Sequence, residues 1–141
     1  MLKRLENWVS KQGYILIKNN KVNDSVDSQN KIVYLNTRSK IEKQIFSLLH
    51  ECGHIMTRKN KKKFYKEFAV LADLEEKETL RKPLHFYVLE VEDEIRAWRY
   101  GIKLAKKLNI PLNIKKYNNY SDIYIMSYMI HSVDIRRGNL L

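Results

Sequence analysis

Phe46-Ser47-Leu48-Leu49-His50-Glu51-Cys52-Gly53-His54-Ile55-Met56 is the stretch from which the rest of the chain is read. On an α-helix, residues four apart lie one turn apart on the same face. His50 and His54 therefore present two ring nitrogens to one metal ion. Zinc takes imidazole at about 2.0–2.1 Å, and a catalytic site keeps one position open for water. Glu51 stands roughly 100° round the helix from His50. From there its carboxylate is a poor ligand for the same ion, but it reaches a metal-bound water as general base. Cys52 falls on the far side of the wheel from His50 and reads as a small buried apolar residue.

H-E-x-x-H alone is a weak signal, because two surface histidines on an ordinary helix give the same letters. The context strengthens it. Two of the four histidines in the chain fall at this spacing. Ile45, Leu48, Leu49, Ile55 and Met56 surround them, so the helix is a buried one. Ionisable groups on a buried helix need a reason, and a metal supplies one.

Upstream of the motif the chain reads as short elements. Leu2, Leu5, Trp8 and Val9 share a face of a first helix over residues 2–12, which ends near Gly13. Tyr14 to Lys18 is an apolar, β-branched strand. Asn19-Asn20 reads as a tight turn, Lys21 to Val26 as a weaker strand, and Asp27 to Asn30 as a second turn. Lys31 to Asn36 is the clearest strand. These predict a small antiparallel meander of about three strands before the motif helix. Ser39 and Glu42 read as a capping box opening that helix, from about Lys40 to Met56. The strand Ile32 to Asn36 is the expected edge along which an extended peptide could lie.

Downstream, Phe64, Phe68, Leu71 and Leu74 recur at helical spacing in a lysine-rich segment, a solvated helix with an apolar edge. The charged stretch from Glu75 to Lys82 runs into Pro83 as a boundary. A long helix follows from about His85 to Leu108. Val88, Val91, Ile95, Trp98, Ile102 and Ala105 form its expected buried stripe, and Glu90, Glu94, Ala97 and Gly101 lie on an adjoining face. A closing helix, Ser121 to Arg136 with Ser121 as N-cap, is expected to pack Ile123, Ile125, Met126, Met129, Ile130 and Val133 on the core, before a short tail from Gly138 to Leu141.

Two histidines make an incomplete site, since a catalytic zinc has three protein ligands. A third histidine in H-E-x-x-H-x-x-G-x-x-H is excluded, because Thr57 and Asn60 stand where the glycine and histidine would be. A glutamate on the later helix is the other solution. Glu94 is the choice, since small Ala97 and Gly101 beside it let this helix approach the motif helix. Glu90, one turn earlier, is the rival; Glu92 and Asp93 read as solvated. His85 and His131 read as structural. Tyr87, Tyr124, Tyr128 and His131 are candidate donors to an oxyanion.

Tyr34-Leu35, Leu48 to His54 and Glu94-Ile95-Arg96-Ala97-Trp98 together resemble the small zinc metallopeptidases of phages and bacterial mobile elements, most closely the ImmA/IrrE-like group. The resemblance covers roughly residues 14 to 108. It implies a small α+β, zincin-like fold, His50 and His54 as zinc ligands, Glu51 as catalytic base and a glutamate ligand on the later helix. Arg96 departs from the pattern, standing directly before Ala97 where a glutamate is often found. The ligand is then Glu94 or is lost.

At 141 residues the chain is read as one domain, 1–141. Its single cysteine excludes an intrachain disulfide and fits a reducing compartment. The N-terminus has no apolar run of a signal peptide, and no stretch approaches a membrane span, so the expected location is cytoplasmic. The formal charge of +11 raises an acidic or nucleic-acid partner alongside a protein or peptide substrate. The function expected is a zinc-dependent endopeptidase. Its alternatives are a non-catalytic zinc-binding regulator and a nucleic-acid-associated protein.

Overall fold

In a computed structural model the chain is described over residues 1–74 and 82–140. Most of the segment read as a boundary, from Glu75 to Arg81, lies outside them, as do Leu141 and the side chain of Leu74. Five helices and three strands are described: α1 (Leu2–Lys11), β1 (Ile15–Asn19), β2 (Ser25–Asp27), β3 (Ile32–Asn36), α2 (Ile41–Lys59), α3 (Lys61–Leu74), α4 (Leu84–Lys107) and α5 (Ile114–Leu140). The α+β class expected from the residues is the one found.

The sheet is mixed, which corrects the antiparallel meander. Its order is β1-β3-β2, with β1 parallel and β2 antiparallel to β3. The reason lies in residues 20–24, which cross the end of β3 instead of turning back. Asn36 holds them there. Its backbone N–H donates to Asp24 Oδ1 at 2.6 Å and its side-chain amide donates to the Val22 carbonyl at 2.7 Å. Alternating apolar residues mark a strand but not its neighbour, so these bonds decide the order. β3 is consequently the central strand, paired on both sides, and is not the edge expected for a peptide. That edge belongs to β2.

The sheet buries Val33 and Leu35 of β3 against the core, with Leu5, Trp8 and Val9 of α1 and Leu48, Leu49 and Cys52 of α2. Ile15 and Ile17 of β1 are exposed. Helix α2 begins at Ile41 after Lys40, and neither Ser39 nor Glu42 forms the expected capping box. Buried Gln44 reaches back instead, its amide donating to the Ser39 carbonyl at 2.7 Å.

The α2–α4 pair is the most extensive packing in the fold. Gly53 of α2 lies against Ala97 of α4, and Gly101 of α4 against Leu49 of α2. As one number rises by four the other falls by four, so the helices run antiparallel. A Cβ on Gly53 would overlap the Ala97 carbonyl oxygen, far inside the contact distance of a carbon and an oxygen. The close approach expected from Ala97 and Gly101 is present. The buried stripe of α4, however, is turned from the expected one. Val88 is exposed, and Phe86, Tyr87, Leu89, Asp93, Glu94, Ala97, Trp98, Gly101, Leu104 and Ala105 are buried. The glycine–alanine crossing pulls the Glu94 face against α2, leaving Val88 exposed and Val91 half-buried.

Phe64, Phe68 and Leu71 of α3 join Phe86, Tyr87 and Leu89 of α4 in a second apolar cluster. Helix α5 starts earlier than expected, at Ile114, where Asn113 Oδ1 accepts the Lys116 N–H at 3.0 Å as a cap does. Ser121 is inside the helix, and its hydroxyl donates to the Asn118 carbonyl at 3.0 Å. Buried Tyr117 anchors α5 by donating to the Trp98 carbonyl at 2.7 Å. Beyond it, Ile123, Met126, Met129, Ile130 and Val133 are exposed, contrary to expectation, while Ile125 packs on the core.

Gly53→Ala is expected to cost about 2–3 kcal/mol or more, because the added methyl meets a backbone carbonyl that cannot rotate away. Chemical denaturation measures it. A loss under about 0.5 kcal/mol, the level of an ordinary surface change, would show that the helices are not held at this distance.

Candidate metal centre

His50, Glu51 and His54 come from consecutive turns of α2, and Glu94 faces them from α4. One carboxylate joins the two rings: His50 Nε2 lies 2.8 Å from Glu94 Oε2, and His54 Nε2 lies 3.1 Å from Glu94 Oε1. His50 Nδ1 is 3.5 Å from Glu51 Oε1. Candidate ligand atoms of His50, Glu51 and His54 all lie within 4.8 Å of one another. Among the described residues Glu94 is met by these two histidines and by the Tyr128 hydroxyl, not by the Lys or Arg of an ordinary interhelical ion pair. Glu90 lines the same cleft one turn away.

The electrostatics follow from this burial. Burial works to lower the pKa of His50, but the carboxylates of Glu51 and Glu94 outweigh it and raise it to about 9. Burial would lift the Glu94 carboxyl, yet its bonds to His50 and His54 hold it well below the usual carboxylate range. The Cys52 thiol is pushed up by burial, as suits an inert core residue.

Neighbouring side chains fix the rings. Trp98 stacks on His50 with centroids 4.1 Å apart and planes 3° from parallel. Asp93, read from the sequence as solvated, is buried and belongs to the site. Its Oδ2 lies 3.7 Å from His54 Nδ1 and accepts from Arg58 Nη2 at 3.2 Å. Arg58 Nη1 also approaches His54 Nδ1 at 3.3 Å. The available signal was Arg58 itself, four residues after His54 and so on the same helix face. Glu92 is exposed and pairs with Arg96 at 3.1 Å, as expected of a solvated residue. Arg96 also pairs with Glu67, which takes it away from the centre.

The centre floors a cleft of about 860 Å³. Asp24 and the edge strand β2 form one wall, and Glu90 and Trp98 of α4 with Tyr124 and Tyr128 of α5 form the other. The structure thus separates the oxyanion candidates. Tyr124 and Tyr128 line the cleft, whereas Tyr87 is buried in the second apolar cluster, and His131, like His85, is exposed. Burial and the carboxylates of Glu94, Glu90 and Glu51 push the Tyr128 hydroxyl up, so it stays protonated and able to donate.

Residues 16–82 match the family model described as the IrrE N-terminal-like domain, a peptidase family. The resemblance read from the residues is borne out over the strands, the motif helix and α3. The match ends before α4, so His50, Glu51 and His54 lie inside it and Glu94 outside. No curated protein and no solved structure matches the chain. No described helix is long and apolar enough to cross a membrane. The high positive charge found no support as a sign of a nucleic-acid partner.

A pH dependence follows for protein kept metal-free with a chelator. The raised His50 contributes stability that is fully present below its ordinary value of 6.5 and is lost as pH rises through about 9. The depressed Glu94 contributes stability present above its ordinary 4.5 and lost as pH falls below that. Denaturation midpoints should therefore decline on both sides of a plateau between these values. Glu94→Gln should flatten the alkaline side; a decline unchanged in that variant would refute the pairing.

Proposed function

We propose that the chain is a zinc-dependent peptidase in which His50, His54 and Glu94 hold the metal and Glu51 is the general base. The convergence of both histidine Nε2 atoms on the single carboxylate of Glu94 carries this reading. Two imidazoles and a carboxylate are donors suited to zinc, and an ion would replace the ring protons that Glu94 now accepts. Zinc bound there would polarise the peptide carbonyl and lower the pKa of water towards neutrality.

The chain's own residues do the rest. Glu51 takes the proton of the attacking water and delivers it to the leaving amine. Tyr128, kept protonated by burial and its carboxylate neighbours, turns from Glu94 to donate to the developing oxyanion, with Tyr124 beside it. Trp98 fixes the ring plane of His50. Asp93, with Oδ2 3.7 Å from His54 Nδ1, is the carboxylate placed to steady that ring from behind, and Arg58 balances its buried charge. The substrate is an extended peptide laid along the open edge of β2, the mode by which strands add to sheets.

Elemental analysis of wild type and His54→Ala, purified with zinc supplied, tests the centre. About one zinc per chain in the wild type, lost in the variant, is the expected result, and a wild type without zinc would overturn the reading. Glu51→Gln should keep its metal while hydrolysis of a peptide substrate falls at least about 100-fold. Cellular function surviving that substitution would favour a non-catalytic zinc protein.

The ligand assignment has its own check. Glu94→Gln should lose most of its zinc, and Glu90→Gln should keep it. Asp93→Asn, nearly isosteric, should weaken zinc about 10- to 100-fold in competition with a chelator. Unchanged affinity in Asp93→Asn would leave Asp93 a packing residue.

A further inference from the structure

Helix α5 presents two opposite faces, and the core covers one of them. Tyr117, Ser121 and Ser132 are buried on the inner face, with Ile125 packed beside them. The outer face, roughly half a turn round, carries Ile123, Met126, Ile130 and Val133, each between 51% and 70% exposed. A helix with apolar residues on all sides belongs in an interior. Single exposed apolar residues are ordinary, but a contiguous set marks a contact surface. Leu84 and Val88 of α4, 58% and 55% exposed, extend the set. With Met129 and Val133 of α5 they border an apolar groove of about 390 Å³ between the two helices.

Spacing, charge and area select a second copy of this chain as the cover. The four outer residues follow one another at steps of three, four and three, the spacing of a seam between two helices. Lay two such helices antiparallel about an axis midway between Met126 and Ile130. Ile123 then meets Val133 of the partner subunit and Met126 meets Ile130 of the partner subunit. Each contact occurs twice, as a closed two-fold interface requires. Ile123, the most exposed of the four, comes to the end of the seam where the groove lies. Charge agrees with this. Two chains of formal charge +11 repel unless their cations are kept apart. Residues 117–135 are the longest stretch of the sequence without Lys or Arg, and they carry the seam. The area is also sufficient. The seven apolar side chains of seam and groove, each roughly half exposed, offer on the order of 700 Å² per copy, near the roughly 800 Å² per partner of a standard interface.

We propose that the chain forms a two-fold dimer through the outer face of α5, the two helices antiparallel and Ile123 of each copy seated in the α4–α5 groove of the other. Tyr124 and Tyr128 lie on the other side of α5, where they line the cleft, so the seam does not use them. Helix α5 is then held from both sides. Nothing in this packing depends on the peptidase reading of the cleft.

Sedimentation equilibrium of the full-length chain tests the dimer. Between about 1 and 100 μM it should show monomer and dimer with a dissociation constant on the order of 10 μM. Met126→Glu with Ile130→Glu sets unpaired carboxylates in the seam and should weaken association at least about 100-fold. Both residues are exposed in the single chain, so the circular dichroism spectrum of this variant should stay that of the wild type. Met126→Ser with Ile130→Ser, gentler still, should weaken association by a smaller factor. Cysteine cross-linking reads the orientation. Ile123→Cys and Val133→Cys chains, mixed and oxidised, should join to each other. Neither should join to its own kind, since like positions lie about 15 Å apart along the antiparallel helices. The native Cys52 is buried and its thiol is pushed up, so it stays silent. A wild type that remains monomeric at about 100 μM overturns the proposal and leaves the face to a different protein. A dimer that persists in the folded glutamate variant, or chains that cross-link through like positions, overturns it as well.

Discussion

The distance between α2 and α4 is the constraint on which the candidate site depends. It is set where side chains are smallest, at Gly53 against Ala97 and at Gly101 against Leu49. His50 lies one turn from Gly53 on α2, His54 directly follows it, and Glu94 lies one turn from Ala97 on α4. A side chain at Gly53 would force the helices apart against the Ala97 carbonyl, and one at Gly101 would crowd the Tyr117 hydroxyl and tighten the contact with the Leu49 carbonyl. The carboxylate bridge has little room for such a shift, because N–H···O hydrogen bonds span only about 2.7–3.2 Å. The glycine inside the H-E-x-x-H motif therefore does as much to build the centre as the residues that give the motif its name.

A second line of support enters from α5. Asn113 caps the helix and places Tyr117, which is buried and donates to the Trp98 carbonyl. Tyr117 also packs edge-on against Trp98, with centroids 5.4 Å apart. Trp98 in turn lies flat on His50. Orientation thus passes from a helix cap through two aromatic rings to one imidazole. Such stacking matters because the centre is a buried cluster of ionisable groups, which is costly unless each member is held against its partner. The same contacts bring Tyr124 and Tyr128 over the cleft, since both lie on the helix that Tyr117 pins.

Much of this was legible from residue types at helical spacing. His50, Glu51 and His54 announce themselves on one helix, and Ala97 and Gly101 mark the face of α4 that comes close. What escaped was whatever depends on partners distant in sequence. Alternation in residues 31–36 identifies a strand but not that it is central, because the Asn36 bonds to Asp24 and Val22 route the chain over its end. Asp93 looked solvated because a carboxylate next to a candidate ligand carries no sign of burial until Arg58 is seen opposite it. The buried stripe of α4 differs from the apolar pattern by part of a turn because valines outweigh glycines in a hydrophobic pattern, whereas packing distance favours the glycines. The apolar face of α5 is exposed although its periodicity matches a core face, because periodicity says that a face is apolar, not that anything covers it.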